Sequence, residues 1–178
     1  VLPGDPQNDA RFAVCPDDVY DELSEVQAER SGSELLDTFD KSLFPYLLVG
    51  RRLKHALNSL GSELPGLAKV ATTNYVYVNP DDLIELGAKD GDLLKITSPR
   101  SSVVGVIESD PDIKRGVVSM SHSWGDISVT DEKVRDIGSP TNRLVSSDVG
   151  YDRITGLPIM SAIPVNITSI TDDELISH

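Results

Sequence analysis

Four side chains in this sequence have the chemistry to hold a flat, anionic molecule, and they come in two groups. Arg51 and His55 follow Gly50, and His122 and Trp124 stand together much later in the chain. A guanidinium fork such as that of Arg51 grips a phosphate with two parallel hydrogen bonds. His55 lies one helical turn further on, on the same side if the chain is helical there. Gly50 lets a ligand approach the backbone, and a strand that turns into a helix at this point aims free N–H groups at an anion. With Arg52 and Lys54, Arg51 makes three cations in four residues, which is unusual in so acidic a chain. The plain alternative is a solvated basic patch. His122 and Trp124 alternate, so they can share one face of a strand end. There an indole can stack on a flat heterocycle and an imidazole can hydrogen-bond its edge. The alternative is one core aromatic and one surface histidine.

Short elements must position these groups. Tyr46-Leu47-Leu48-Val49 reads as an apolar strand that Gly50 ends, and Leu53 to Leu60 reads as a helical turn. Tyr75-Val76-Tyr77-Val78 is aromatic and β-branched, the composition of a strand. Pro80 and Asp81 open a short helix whose apolar face is Leu83, Ile84 and Leu86, and Gly87 closes it. Asp81 and Asp82 suit helix capping better than ligand contact. Lys89-Asp90-Gly91-Asp92 is turn chemistry, because Asp-Gly accepts positive φ. Leu94 and Ile96 then face one way and Lys95 and Thr97 the other, the period of a half-buried strand. Val104, Val106 and Val117 continue the pattern, Val129 to Asp136 reads as a helix, and Ala162 to Ile167 as a closing strand. Many short strands, Gly and Pro turns and few long helices predict a mainly β barrel.

The chain has 178 residues, enough for one domain with a real core. The expected division is an N-terminal extension or linker over 1–43, a barrel over 44–170 and an acidic tail over 171–178. Within the extension, residues 1–12 look like an arm, Pro16-Asp17-Asp18 starts a helix that runs to about Ala28, and Arg30 to Ser33 breaks it. A net charge of −13 argues against nucleic-acid backbone binding, which needs a basic face. No apolar run has the length of a membrane span, and no targeting pattern follows Val1. The single Cys15 excludes an internal disulfide and a Cys-rich metal cage, and reads as a small apolar residue, not a nucleophile.

The order of motifs carries a resemblance. Asn79 to Ser98 reads NPDDLIELGAKDGDLLKITS. Before it stands Gly50-Arg51-Arg52 with His55, Asn58 and Ser59, and after it come Ser121-His122-Ser123-Trp124-Gly125, Gly138 to Leu144 (GSPTNRL) and Gly156-Leu157-Pro158. The Gly-Asp run alone is shared by other double-psi β-barrels. In this order, the set resembles the C-terminal pterin-dinucleotide-binding domain of the molybdopterin oxidoreductases, which include formate dehydrogenases, nitrate reductases and dimethyl sulfoxide reductase. The likeness runs from about Phe44 to Ile167.

The resemblance implies a double-psi β-barrel and a bound molybdopterin guanine dinucleotide. It implies that Gly50, Arg51, Arg52, His55, Asn58, Ser59, His122, Ser123, Trp124 and Asn142 meet that cofactor. Ser123 stands where the family has Gly, Pro140 where it has Asn, and Ser161 where it has a cation. The family metal, molybdenum or tungsten, is held mainly by the pterin dithiolenes, with any protein ligand coming from another domain. The chain is thus expected to lack catalytic residues and metal ligands, to be inert alone, and to have as partner the remaining domains or large subunit of an oxidoreductase. Two other barrels compete. A peptide- or protein-binding barrel has no need for Arg, His, Asn and Trp to converge on one end. A self-processing barrel needs an internal Gly-Ser cleavage, and Gly32-Ser33, Gly61-Ser62 and Gly138-Ser139 lack a strand context.

Overall fold

The computed structural model describes residues 7, 13–28, 39–58, 60–61, 64–66, 69–70, 72–125, 133–152 and 154–170. Its strands are β1 (Tyr46–Arg51), β2 (Val76–Val78), β3 (Leu93–Thr97), β4 (Ser102–Ser109), β5 (Val117–Ser121) and β6 (Ile163–Ser169). They close into a barrel in the order β1-β5-β2-β4-β3-β6. The β1/β5 and β2/β4 ladders are parallel, and the ladders β5/β2, β4/β3, β3/β6 and β6/β1 are antiparallel. This is the expected fold class, a mainly β, double-psi barrel with short helices.

The barrel holds because alternation gives it one dry inside. Leu48, Val76, Val78, Ile96, Val118 and Val165 meet there, buried. β4 is apolar on both faces, since Val103 and Ile107 point in while Val104 and Val106 pack outward under Val134 and Leu93. A strand covered on both sides needs such a run. Gly105 faces inward and leaves room: a Cβ there would run into Val76 and stand 3.1 Å from Ile96 Cδ1.

The Asn79-Pro80 motif serves this frame. Pro80 opens helix α2 (Pro80–Glu85), after the extension's helix α1 (Asp17–Ala28). Asn79 caps α2: its Oδ1 accepts from the Asp81 N–H at 2.9 Å, and its Nδ2 donates to Ile113 O at 2.7 Å. Asp82 is buried, and its job is not capping. Its carboxylate accepts from Arg115 Nε at 2.9 Å and from the Gly116 N–H at 2.6 Å, tying α2 to the β4–β5 turn. Arg115 also pairs with Glu85, and both acids hold its guanidinium above the ordinary arginine range.

Elsewhere the outcome differs from expectation. Leu53 to Leu60 is not helical. The chain reverses twice through tight antiparallel bridges, Leu53 with Ala56 and Leu57 with Leu60. Asn58 takes φ 54°, a left-handed turn conformation that asparagine tolerates. Near the expected helix at Val129 to Asp136, α3 spans Val134–Ile137, and residues 126–132 lie outside the described residues. A 3-10 turn follows at Thr141–Leu144. Helix α1 matches its expected span, and none of its residues is buried. Cys15 is exposed just ahead of it. The arm at 1–12 (Gln7 apart), the break at Arg30 to Ser33 and the acidic tail lie outside the described residues.

Candidate functional site

β1 and β5 run parallel and finish together, with Gly50 beside Met120 and Arg51 beside Ser121. Successive residues on a strand point to opposite sides, so this pair of strand ends serves two cavities. Leu48, Gly50, Met120, His122, Trp124 and Asn142 line one, of about 780 Å³, together with Ser123. His55, Thr73, Tyr77 and Ser121 line the other, of about 360 Å³.

The larger cavity is built by two loops that cross back to back. Residues 122–125 leave β5 through Ser123 at φ 65° and Gly125 at φ 74°. Gly138 brings the second loop in at φ 76°, so close that a Cβ would lie 2.5 Å from Asn74 Oδ1 and 3.0 Å from Trp124 Cβ. Asn74, only 2% exposed, joins the two. Its Nδ2 donates to Ser121 O at 2.7 Å and to Ser139 O at 3.0 Å, and its Oδ1 accepts from the Ser139 N–H at 2.7 Å. Ser139 Oγ donates in turn to Val104 O. Nothing in the run Thr72-Thr73-Asn74 marks it in sequence, because its two partner residues, Ser121 and Ser139, lie 47 and 65 residues away.

Within this frame Trp124 is 7% exposed, and its indole Nε1 is buried with no hydrogen-bond partner among the described residues. His122 Nε2 is 2.9 Å from Asn58 Oδ1. An amide oxygen only accepts, so in this contact the imidazole donates from Nε2. Asn142 lies in the Thr141–Leu144 turn at the rim, exposed, with an amide that both gives and takes hydrogen bonds. Ser123 retains the left-handed backbone natural to the Gly it replaces. Pro140 precedes the Thr141–Leu144 turn and packs against Gly125. Met120, Met160 and Ile163 supply an apolar wall, and among the described residues the lining holds no Lys or Arg. The cavity suits a flat heterocycle with hydrogen-bonding edges more than a phosphate.

Arg51 does not join that group. Its guanidinium stands 2.5 Å from the Asp110 carboxylate and 3.8 Å over the Tyr77 ring. The hydrogen bond from Arg51 holds the Asp110 carboxyl below the usual carboxylate range. Burial, with the Glu108 charge behind it, raises the Tyr77 phenol. The expected convergence of Arg51 with the indole and His122 therefore fails, for a simple reason: Gly50 and Arg51 are neighbours on a strand and face opposite ways. His55 sits with the smaller cavity, and its Nε2, like Thr73 Oγ1, is buried with no partner among the described residues. Arg52 is exposed, and Ser59 lies outside the described residues. Of the sequence-derived set, Gly50, His122, Ser123, Trp124 and Asn142 share one cavity, and Asn58 reaches it through His122. Among the described residues no three His, Cys, Asp or Glu are placed to hold a metal ion, and no helix is long and apolar enough to cross a membrane.

Known proteins give three likenesses. The chain is 25% identical over 94 residues to a tetrathionate reductase of Archaeoglobus fulgidus, across 53% of this chain and 8% of that protein. It is 27% identical over 121 residues to an ornithine lipid N-methyltransferase of Singulisphaera acidiphila, across 65% of this chain and 62% of that protein. The two names carry different activities, so neither activity passes to this chain. Among solved structures it is similar to the acetylene hydratase of Pelobacter acetylenicus, with a TM-score of 0.65 at 16% identity over 78% of this chain and 20% of that one. This likeness is one of fold. The chain thus spans a small part of the first relative and of this structural neighbour. The family described as "Molydopterin dinucleotide binding domain" matches residues 46–163, well over half of the chain. That span begins with β1 and ends at the first residue of β6, so it takes in both crossing loops, and the chain belongs to this family of cofactor-binding domains of molybdopterin oxidoreductases.

Proposed function

We propose that this chain holds and orients one end of a molybdopterin guanine dinucleotide and does no redox chemistry alone. The observation that carries the proposal is the indole N–H of Trp124, buried with no partner among the described residues, in the wall of a cavity of about 780 Å³. An unmet buried donor costs about 1–3 kcal/mol, which a ligand acceptor recovers. In this reading Trp124 donates to the edge of the flat end of the dinucleotide. Asn142 gives and takes hydrogen bonds at the rim, His122 offers Nδ1, and the exposed backbone at Gly50 and Ser123 allows close approach. Met120 and Met160 exclude water from the ring face. Arg52 and His55 stand outside this cavity, and contact with the phosphates is the role left to them. When bound, the cofactor supplies the metal and the electron transfer, and the protein supplies position. Any protein ligand to the metal then belongs to another domain.

The test is calorimetry of the isolated chain with guanosine diphosphate, read together with fluorescence. Trp124 is the single tryptophan, so its emission reports this corner alone. Saturable binding that shifts the emission is expected, with no substrate-dependent electron transfer. Heat of binding without any change at Trp124 would place the ligand elsewhere and overturn the reading.

A further inference from the structure

The chain between the Thr141–Leu144 turn and β6 has a feature that the cofactor cavity does not use. Residues 149–164 contain two charged residues in sixteen, in a chain that is 25% charged. They fold back as a hairpin bridged at Tyr151 and Pro158. Asp152 N–H donates to Leu157 O at 2.8 Å, and Ile159 N–H to Gly150 O at 2.7 Å. The Asp152 carboxylate turns into the hairpin, accepting from the Thr155 N–H at 2.6 Å and from its hydroxyl at 2.7 Å. Six apolar side chains are on show: Val149 is 57% exposed, Tyr151 45%, Ile154 46%, Leu157 65%, Ile159 41% and Met160 55%. Six such groups in twelve residues exceed the scattered exposure that a protein surface tolerates. They stand on a hydrogen-bonded hairpin, so a partner need not order the backbone first.

We infer that this hairpin is the seam on which the remaining domains of the oxidoreductase seat. Three observations choose that occupant. The family domain is a small part of larger chains, 8% of the reductase and 20% of the hydratase, so most of such an enzyme lies outside it. The hairpin is continuous with the cofactor cavity, because Met160 lines that cavity too, and Ile163 lines both it and an apolar groove of about 700 Å³ beside Val149 and Ile159. A surface laid on the hairpin therefore also walls the cavity, an argument that rests on the cofactor reading above. A second copy of this chain is a poorer occupant, since each copy carries a net charge of −13.

Hydrogen–deuterium exchange tests the seam, comparing the assembled oxidoreductase with the isolated chain. Backbone amides of residues 149–160 are expected to exchange roughly tenfold slower in the assembly. Equal exchange in the two overturns the inference. So does sedimentation of the isolated chain as a dimer with the hairpin already protected, which would assign the face to a second copy. The double substitution Leu157→Asp and Ile159→Asp supplies the second arm. The isolated variant should keep its melting temperature and its guanosine diphosphate affinity, while recovery of assembled enzyme falls about tenfold. Normal assembly of the variant counts against the seam. Failure of the unsubstituted chain to bind guanosine diphosphate would instead strike the cofactor reading and leave the exchange result standing.

Discussion

The corner at Trp124 and the corner at Arg51 flank the same pair of strand ends, yet they differ in how much of their hydrogen bonding the fold already meets. Arg51 has an acid at 2.5 Å and an aromatic ring at 3.8 Å, so part of its fork is already spent within the fold. Trp124 has a donor with no partner among the described residues. A paired group stabilises the protein that contains it, whereas a buried unpaired one costs about 1–3 kcal/mol until something arrives. One arm of the Arg51 fork therefore has structural work to do, while its Nη1, like the indole N–H, is buried with no partner among the described residues. Charge in the sequence is a poor guide to a site unless its partner within the fold is known.

The comparison breaks most readily at Asn74, which makes the Trp124 corner possible. Asn74→Ala strips the Ser139 N–H and two carbonyls of their partner inside the protein. A loss of about 3 kcal/mol of stability is expected. Urea unfolding measures it, and tryptophan emission should shift toward that of an exposed indole even before global unfolding. A cost below about 1 kcal/mol would mean that the two loops hold each other without Asn74.

A pair of substitutions then sets one corner against the other. Trp124→Phe keeps an aromatic ring but removes the N–H together with the fused five-membered ring, so guanosine diphosphate affinity should fall about tenfold and stability by about 1–2 kcal/mol. Arg51→Met should leave affinity within about twofold and cost about 1 kcal/mol of stability, since the pair it breaks is partly exposed. The reverse pattern, with binding lost at Arg51 and kept at Trp124, would restore the cation as the site and demote the indole.

Acid sharpens the same contrast. The Asp110 carboxyl is lowered on folding, chiefly by its hydrogen bond from Arg51. A depressed carboxyl stabilises the fold above its unfolded value of about 3.9, and that contribution disappears as pH falls through the lower folded value. Carboxyl NMR should find Asp110 titrating below the ordinary aspartate range, and in Arg51→Met it should move up. Among the described residues the Trp124 corner has no carboxylate in its lining, and its emission should not follow the Asp110 titration.

Much of the barrel could be read from residue order, because its cues are local. Alternation at Leu94 and Ile96, the Asp90-Gly91 turn and the Asn79-Pro80 helix start each act within a few residues, and each appears where expected. Leu53, Leu57 and Leu60 show the limit. Their spacing copies an amphipathic helix, yet Leu57 and Leu60 are 60% and 67% exposed on tight turns. No core waits for that stripe, so periodicity had nothing to act on. The site was half legible. His122, Trp124 and Asn142, gathered by motif resemblance, line one cavity, but side-chain direction separated Arg51 from Gly50. The Asn74 anchor and the Asp110 partner depend on contacts 47 to 65 and 59 residues apart, which local pattern cannot carry.

The smallest effect expected lies at Ser123, and it has two readouts. Its φ of 65° costs a non-glycine residue about 1 kcal/mol. Ser123→Gly removes that cost but loosens the unfolded chain by about 0.5 kcal/mol, so the net gain should be near 0.5 kcal/mol in chemical denaturation. Guanosine diphosphate affinity separates two uses of the residue. If only the backbone faces the ligand, affinity stays within about twofold, because the glycine keeps the same turn. A clear loss would show that the serine hydroxyl contacts the ligand. The Gly-to-Ser exchange would then have traded backbone comfort for a further hydrogen bond at the corner where Trp124 already waits.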